Sequence, residues 1–448
     1  MIRKLSILSV VIISMFILCS AMAYADTNIV LTDNMEIESI EDENVTITST
    51  GIFNLTIKNG INATGNVTIN GASVIVKDYG IAASGDISIT NKAYVESYSD
   101  EVVDHYGPRA IASKNGKVTI TDSFVNAEIS NGGSFVIYGY NGFKAKSVML
   151  NMKAGANSSG GISTYNDYAG IDIRDSAITA DMQGGCGLSA YRGDIYLDHI
   201  AADLYTGYEG ISGHEKVDLI NSTITINGGK NNPGAGMMPD GIFAYGTINI
   251  DGGTLISKSE LGNGIYANDD IIVTNNTERV EASGENYAIK TGSGGKITLG
   301  NDLCITEPQE GKISDYGNMI VDKNGYSAKL AVITGPSHKP DPVPVVKKTN
   351  LLKAKGKTYI VKRKTVKRKS VTVKTSRIIK FTNKGKGTRT YKKLSGNGKI
   401  TVNKKTGKVT IKKGLKKGKY IVKIRITAKG DSRYKSKSIT VRSKIIVK

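Results

Sequence analysis

The chain has 448 residues, a formal net charge of +20, three Cys, four His and no Trp. So few cysteines exclude a small fold held together by many disulfides. Four histidines leave little material for a histidine metal centre or a Ser-His-Asp triad, while the length allows two domains with cores of their own.

Residues 1–25 have the pattern of a secretory signal peptide. The basic pair Arg3-Lys4 precedes a long apolar run, and Ala23-Tyr24-Ala25 offers a cleavage site. No later stretch is apolar over the ~18 residues that a membrane helix needs. We therefore expect an exported, extracellular protein that associates with the cell surface and has no membrane span. Beyond this segment only Cys186 and Cys304 remain, and we expect two buried free thiols, with a single bridge as the alternative.

The charge of the chain divides at a proline-rich segment. Residues 347–448 contain 37 Lys and Arg and one acid, Asp431, whereas the residues before them contain 23 basic and 39 acidic residues. The segment GPSHKPDPVPVVKK lies at the border, and its prolines favour a stiff, extended linker. We therefore divide the chain into a body, 26–334, a linker, 335–346, and a basic tail, 347–448.

The body repeats one short pattern about ten times, at spacings mostly between about 20 and 31 residues, which is typical of solenoids. GINATGNVTINGASVIVKDY begins at Gly60, and GIAASGDISITNKAYVESYS follows it without a gap. Each copy contains a Gly-Ile pair, a turn and two runs of alternating apolar and polar residues, which predicts short strands buried on one face. Because such short strands cannot form a sheet alone, neighbouring copies must cover one another. The sequence therefore predicts a right-handed parallel β-helix.

The copies GINATGNVTING, GIAASGDISIT and GIFAYGTINIDGG resemble the GI-x-A-x-G-D-I-x-I-x-G-G repeat of a bacterial secreted β-helix family known as carbohydrate-binding. The resemblance covers roughly residues 51–300 and implies contact with extracellular polysaccharide. It also implies calcium, because that family places acidic pairs just before its Gly-Ile steps. In this chain Asp240 is the acid that clearly holds that position.

The tail contains about seven short alternating segments, from TYIVK to SITVRSKIIVK, and this rhythm over ~100 residues predicts a small β-sandwich. The stretch from GNGKITV to GDSRYK resembles the immunoglobulin- or cadherin-like modules at the ends of secreted proteins of Gram-positive anaerobes. A cationic face of this density predicts retention on an anionic cell-wall polymer. The alternative is a solvated face that serves solubility. No nucleic-acid-binding motif is present, so we expect no specific nucleic-acid partner.

Acidic clusters provide the candidate calcium ligands of the body. Asp100 and Asp104 lie in the insertion SDEVVDHYGPR, Asp167 and Asp172 lie in YNDYAGIDIRDSAI, and Asp240 completes the set. Carboxylate oxygens are the ligands that calcium prefers. The alternatives are a solvated loop for the first pair and surface ion pairing, such as Asp172 with Arg174, for the second.

The segment YLDH, which contains Asp198 and His199, has a short likeness to pectate-lyase β-helices. The apolar positions of the repeat already account for most of it, and we assign no catalytic residue.

Tyrosines recur at the corners and loops of the copies. A row of them along one face would let successive sugar rings stack, while Asn and Asp bind the hydroxyls. Each could instead be an ordinary half-buried strand residue. The candidate carbohydrate-binding residues are Tyr138, Tyr165, Tyr191, Tyr208, Tyr245 and Tyr266.

These patterns favour a non-enzymatic, adhesin-like surface protein whose body contacts polysaccharide and whose tail holds it to the envelope. Two alternatives remain open. The body could be a polysaccharide lyase, since β-helices host such enzymes, or the chain could be a structural spacer that binds another protein.

Overall fold

The structure is a computed structural model that describes residues 26–100, 108–130, 132, 134–231, 239–335, 349–430 and 434–448. The predicted signal peptide, nearly all of the linker and the candidate ligand Asp104 lie outside these residues.

Most copies of the repeat form one coil of three short strands, which confirms the all-β class and the parallel β-helix. In the coil that begins at Gly60 the strands are Ile61–Ala63, Val67–Asn70 and Ser73–Val76, and buried positions alternate along each. Each strand pairs in parallel with its equivalent in the next coil, as Ile61–Ala63 does with Ile81–Ala83. The backbone amides are therefore satisfied between coils about 4.8 Å apart.

Three stacks of strands run the length of the body. The first, which we call the Gly-Ile sheet, has eleven strands: Ile40–Asp42, Ile61–Ala63, Ile81–Ala83, Ile111–Ser113, Phe135–Gly139, Gly160–Thr164, Cys186–Ala190, Ile211–Gly213, Ile242–Ala244, Ile265–Ala267 and Ile289–Thr291. The middle stack comprises Thr27–Leu31, Val45–Ser49, Val67–Asn70, Ile87–Thr90, Val118–Thr121, Phe143–Lys146, Ile171–Arg174, Ile195–Asp198, Ile271–Val273 and Ile297–Leu299.

The last stack comprises Met35–Ile37, Asn54–Ile57, Ser73–Val76, Tyr94–Ser99, Phe124–Ile129, Met149–Ala154, Ala177–Met182, Ala201–Thr206 and Thr277–Ser283. Two long strands, Lys216–Gly228 and Thr247–Ser259, bend at the corner and belong to both the middle and the last stack.

The core is a column of identical positions from successive coils. On the Gly-Ile sheet, Ile61 pairs with Ile81, which pairs with Ile111, and all three are buried. Full burial of such a side chain stabilises the fold by about 1.5–3 kcal/mol. A single coil exposes this apolar side, so only its neighbours can cover it.

The glycine of the Gly-Ile pair allows the chain to make the tight corner before the strand. Gly80 has φ +68°, and a Cβ there would lie 2.6 Å from the carbonyl oxygen of Ala110 in the next coil. Because of the left-handed conformation and the close approach, any side chain at this position would be costly.

The winding ends in an antiparallel strand. Leu330–Thr334 pairs antiparallel with both Thr277–Ser283 and Cys304–Glu307, and a small hairpin joins Lys312–Ile313 to Ile320–Val321. The strand thus covers an edge that would otherwise be open for pairing.

The tail is an all-β unit with its own apolar core, which includes Val422, Ile424 and Ile426. Its described residues form nine strands: Lys353–Gly356, Thr358–Val361, Val371–Val373, Ile379–Asn383, Arg389–Ser395, Ile400–Val402, Val409–Ile411, Gly418–Ala428 and Lys437–Val447. They form sheets of four, three and two strands. Two short helices, Arg363–Arg368 and Thr375–Ile378, interrupt them.

The described residues contain no helix of the length and apolarity needed to cross a membrane. Cys186 and Cys304 are free thiols. The expectation that both are buried is wrong for Cys304, which is exposed at the start of the strand Cys304–Glu307, and Cys186 is only partly buried.

Candidate functional site

The outward side of the Gly-Ile sheet places equivalent residues in a row. Parallel register aligns Tyr138 with Ser163, Ser189 and Ser212, and then with Phe243 and Tyr266. These positions alternate with the buried column, so they share the solvent side of the sheet. The row therefore has a ring at Tyr138, then three serines, and then rings again at Phe243 and Tyr266.

A second row lies at the turn that follows each of these strands. Tyr140 and Tyr165 stack with ring centres 6.0 Å apart, and Tyr165 and Tyr191 stack at 5.0 Å with parallel planes. Equivalent turn positions in adjacent coils lie about 4.8 Å apart, close to the separation at which rings stack. The tyrosines therefore cover one another's faces and turn their edges and hydroxyls outward, and Tyr191 is the last ring of this stack.

A second aromatic cluster lies further along the body. Phe243 stacks on Tyr266 with ring centres 5.9 Å apart, and Tyr245 meets Phe243 edge-on at 4.7 Å. His214 packs against Tyr245 at 5.5 Å. Tyr245 remains 58% exposed.

A groove of roughly 630 Å³ lies between the two aromatic clusters. Tyr191 lines one part of it, Phe243, Tyr245 and Tyr266 line another, and the small residue Ser212 lies between them. The rings and the groove thus combine apolar surface with hydroxyl groups. That combination suits a ligand that is partly apolar and rich in hydrogen-bonding groups.

One side of the groove is formed by the residues just before the Gly-Ile steps, namely Cys186, Glu209, Asp240 and Asn263. The Cys186 thiol donates to Glu209 Oε2 at 3.1 Å. Asp240 Oδ1 accepts from the backbone N of Asn263 at 2.6 Å and from its Nδ2 at 2.8 Å. These groups form a continuous polar row along three coil-to-coil steps.

Asp240 and Asn263 are the buried members of the polar row, and Cys186 and Glu209 are partly exposed. Asp240 is 2% exposed, and burial together with the nearby Glu209 raises the pKa of its carboxyl to about 7. Burial, followed by the charge of Glu209, raises the pKa of the Cys186 thiol well above its usual range. Asn263 is 4% exposed, and its Oδ1 has no hydrogen-bond partner. A buried carboxyl and an unsatisfied amide oxygen therefore line the same groove.

The predicted sugar-binding tyrosines are only partly brought together. Tyr191, Tyr245 and Tyr266 line the groove, and Tyr165 extends it through its stack on Tyr191. Tyr138 lies several coils upstream, under the guanidinium of Arg109 at 4.4 Å. Tyr208 does not line the groove.

The predicted calcium ligands do not converge. Asp167 pairs with Arg192 at 2.8 Å, and Asp172 pairs with Arg174 at 2.7 Å, as the ion-pair alternative anticipated. Asp100 is exposed at the end of a strand of the last stack. Among the residues that the structure describes, no group of three or more His, Cys, Asp or Glu is arranged to hold a metal ion.

Among the candidate ligands, Asp240 is the one that lines the groove, together with Glu209 and with Asn263, whose Oδ1 has no hydrogen-bond partner. Two of these three residues were not predicted. Glu209 and Asn263 both directly precede a Gly-Ile pair, so aligning the copies on that pair would have found them.

A second groove, of roughly 790 Å³, lies on the last stack. Its floor includes Glu96, Asn126 and Asn151, and the amides bond to one another along the stack, with Asn151 Nδ2 2.8 Å from Asn126 Oδ1. Tyr98 is the only aromatic residue that lines it. With its amides already engaged, this groove is the weaker candidate.

The fold and the site define a parallel β-helix with an aromatic groove on one sheet. Comparisons of the chain with protein-family models, with curated proteins and with solved structures gave no match.

Proposed function

We propose that this chain is an exported polysaccharide-binding protein of the cell surface, whose body contacts the glycan through the groove on the Gly-Ile sheet. The observation that carries the proposal is the pairing of exposed aromatic rings with hydroxyl and carboxyl groups at successive coils. Sugars present apolar C–H faces and hydroxyl rims, which such a surface matches. The groove follows the coils, so an extended chain of sugars fits it better than a compact ligand does.

The stacked tyrosines refine how a glycan would be held. Within the stack, ring faces are covered, so Tyr165 offers its edge and hydroxyl. Tyr191 is 56% exposed and ends the stack beside Ser212. The side of its ring away from Tyr165 is therefore the surface on which a sugar ring would rest.

Calcium is the cofactor that the polar row suits. Asp240, Glu209 and Asn263 would hold the ion through carboxylate and amide oxygens, and the glycan or water would complete its coordination. A bound divalent cation supplies a positive charge that favours the ionised form of Asp240 and attracts acidic sugars.

The tail would retain the protein on an anionic polymer of the envelope. Its described residues contain no acid, so nothing within them neutralises the lysines and arginines. Such a surface gains counterion-release free energy when it meets a polyanion.

A second candidate function is cleavage of the bound glycan, as in a lyase. The observation in its favour is the buried carboxyl of Asp240 beside Glu209 in a groove, since raised pKa values are typical of acid–base catalysts. Asp198 and His199, by contrast, pair with each other at 2.5 Å and do not line the groove.

Affinity electrophoresis of residues 26–448 through gels that contain neutral or acidic polysaccharides tests the proposal, with and without calcium. We expect retardation that Tyr191→Ala weakens and that Tyr98→Ala, in the other groove, leaves unchanged. No retardation by any polysaccharide would refute glycan binding. New reducing ends or unsaturated products in the same mixtures, lost in Asp240→Asn, would instead favour the enzyme.

A further inference from the structure

The four-stranded sheet of the tail has one face on the core and one face in solvent. Along Gly418–Ala428, Val422, Ile424 and Ile426 are buried, whereas Lys423 and Arg425 point outward. The neighbouring strand Lys437–Val447 alternates in the same way. Period-two alternation therefore gathers the cations of these strands on the outer face.

The strand register places cations directly opposite one another on that face. Lys423 pairs with Arg442, Lys392 pairs with Arg425, and Lys444 lies two residues beyond Arg442 on the same strand. Directly opposed Cβ atoms lie about 5 Å apart, at which separation like charges repel and destabilise the sheet. No acidic residue is available among the described residues of the tail, since Asp431 is the only acid of residues 347–448. The face thus carries a repulsion that no described residue of the tail neutralises, and an anion bound there would relieve it.

The other outward side chains of this face narrow the chemistry of that anion. Thr390, Thr427 and Thr440 add hydroxyls beside the cations. None of the outward residues of the four strands is aromatic, because Tyr359, Tyr391 and Tyr420 sit at core-facing positions. The face therefore offers charge, hydrogen bonds and the exposed aliphatic side chains of Ile360 and Ile421, but no ring on which a sugar could stack.

The spacing of the cations suits a linear chain of charges. Lys423 and Arg425 are two residues apart, as are Arg442 and Lys444, so each pair spans about 7 Å along its strand. Two adjacent strands then form two parallel rows of positive charge. Guanidinium groups bind phosphate oxygens in a bidentate manner, and ammonium groups add point charges.

We propose that the outer face of this sheet, centred on Lys423, Arg425, Arg442 and Lys444, binds a linear, ring-free phosphodiester polymer of the alditol phosphate type. This inference rests on the proposed envelope retention and specifies the site and the polymer that would perform it. Binding neutralises the opposed cations, so the ligand also stabilises the sheet.

The test uses residues 26–448 and soluble poly(glycerol phosphate) as the probe, titrated at several salt concentrations. The face variant carries K423Q, R425Q, R442Q and K444Q. A matched control removes the same charge from exposed turns, as K404Q, K405Q, K412Q and K413Q. Each lost phosphate contact lowers the slope of log K against log salt by about 0.7, so we expect the face variant to lose about 3 and the control to keep its slope. Equal losses of slope in the two variants would show that the polymer responds to the overall charge of the tail and not to this face.

Two further measurements test the assigned polymer and the assigned site separately. Polygalacturonate of matched charge should bind at least tenfold more weakly than the phosphodiester, and equal affinity would overturn the polymer assignment. Lys423→Glu should weaken phosphodiester binding without lowering the melting temperature, which separates binding from folding; unchanged binding in this variant would contradict the proposed site. If glycan retardation by the body fails while phosphodiester binding follows the face, only the glycan proposal falls.

Discussion

Replacing Asp240 with Asn should remove a pH-dependent loss of stability from the body. Asn keeps the acceptor for Asn263 N and Nδ2 but has no charge to bury. In the native chain burial raises the pKa of the Asp240 carboxyl from 3.8 to about 7. Between these two pH values the folded chain binds a proton that the unfolded chain has released.

The size of the effect follows from that difference in pKa. The folded state is favoured most below pH 3.8, and its advantage is lost as the pH rises towards 7. A shift of about three pKa units corresponds to roughly 4 kcal/mol in total, of which about 3 kcal/mol falls between pH 5 and pH 8. Asp240→Asn does not carry this penalty, so it should be more stable than the native chain by roughly 4 kcal/mol at pH 8 and by only about 1 kcal/mol at pH 5.

Thermal and denaturant unfolding of both proteins at pH 5 and pH 8, followed by circular dichroism, measures the difference. Other titrating groups are common to both chains and cancel. The control Asp167→Asn alters a carboxylate that is exposed and paired with Arg192, and it should show the native pH profile. Identical pH profiles for the native chain and Asp240→Asn would refute the account of a buried, destabilised carboxylate. Calcium at pH 8 should raise the melting temperature of the native chain but not of Asp240→Asn.

Four further outcomes are expected. Ile111→Ala should lower the free energy of unfolding of the body by about 2–5 kcal/mol, measured by denaturant titration, because it opens a cavity in the central column; a loss below 1 kcal/mol would contradict the stacking. Gly80→Val should be more destabilising than Gly294→Val, whose added Cβ meets nothing within 4 Å, in the same titration. A maleimide at pH 7 should label exposed Cys304 faster than the partly buried Cys186, whose pKa is raised, as read by mass spectrometry of the peptides, and equal rates would contradict the desolvated thiol. Lys423→Glu should leave the tail as stable or up to about 1 kcal/mol more stable at low salt, since it replaces a like-charge pair with an opposite-charge pair facing Arg442.

The architecture of the body could be predicted because the sequence repeats its physical constraints. Alternation such as Val67-Thr68-Ile69 fixes which side of a strand is buried, and the Gly-Ile pair marks the same corner in each copy. Even the weaker copy FVIYGYNGFKAKSVMLNMKA forms a full coil with Phe135–Gly139, Phe143–Lys146 and Met149–Ala154.

The site was predicted less completely, because it depends on which turns coincide in space. The copies differ in length, so spacing alone does not show that Tyr165 and Tyr191 occupy equivalent turns and cover each other's faces. Acid-rich segments drew attention to Asp167 and Asp172, which have local cationic partners. Isolated residues before the Gly-Ile pair, such as Glu209, were overlooked because nothing around them is acidic.

The tail shows why some strands of a strongly charged sequence cannot be predicted from its apolar pattern. Seven strands were expected, and nine are present in 349–430 and 434–448, the parts of the tail that the structure describes. The strand Arg389–Ser395 buries only Tyr391, and the helix Arg363–Arg368 buries only Val366. With one buried apolar residue in an element, the sequence shows no apolar–polar alternation from which a strand could be predicted.

The gapless copies at residues 60–79 and 80–99 make the length of the solenoid adjustable. Their strands pair position for position, so inserting a third such copy would leave each rung facing an equivalent partner and lengthen the body by about 4.8 Å. The antiparallel strand Leu330–Thr334 closes the opposite end, so such growth is confined to the region upstream of it. The aromatic groove and the number of coils upstream of it can therefore vary independently.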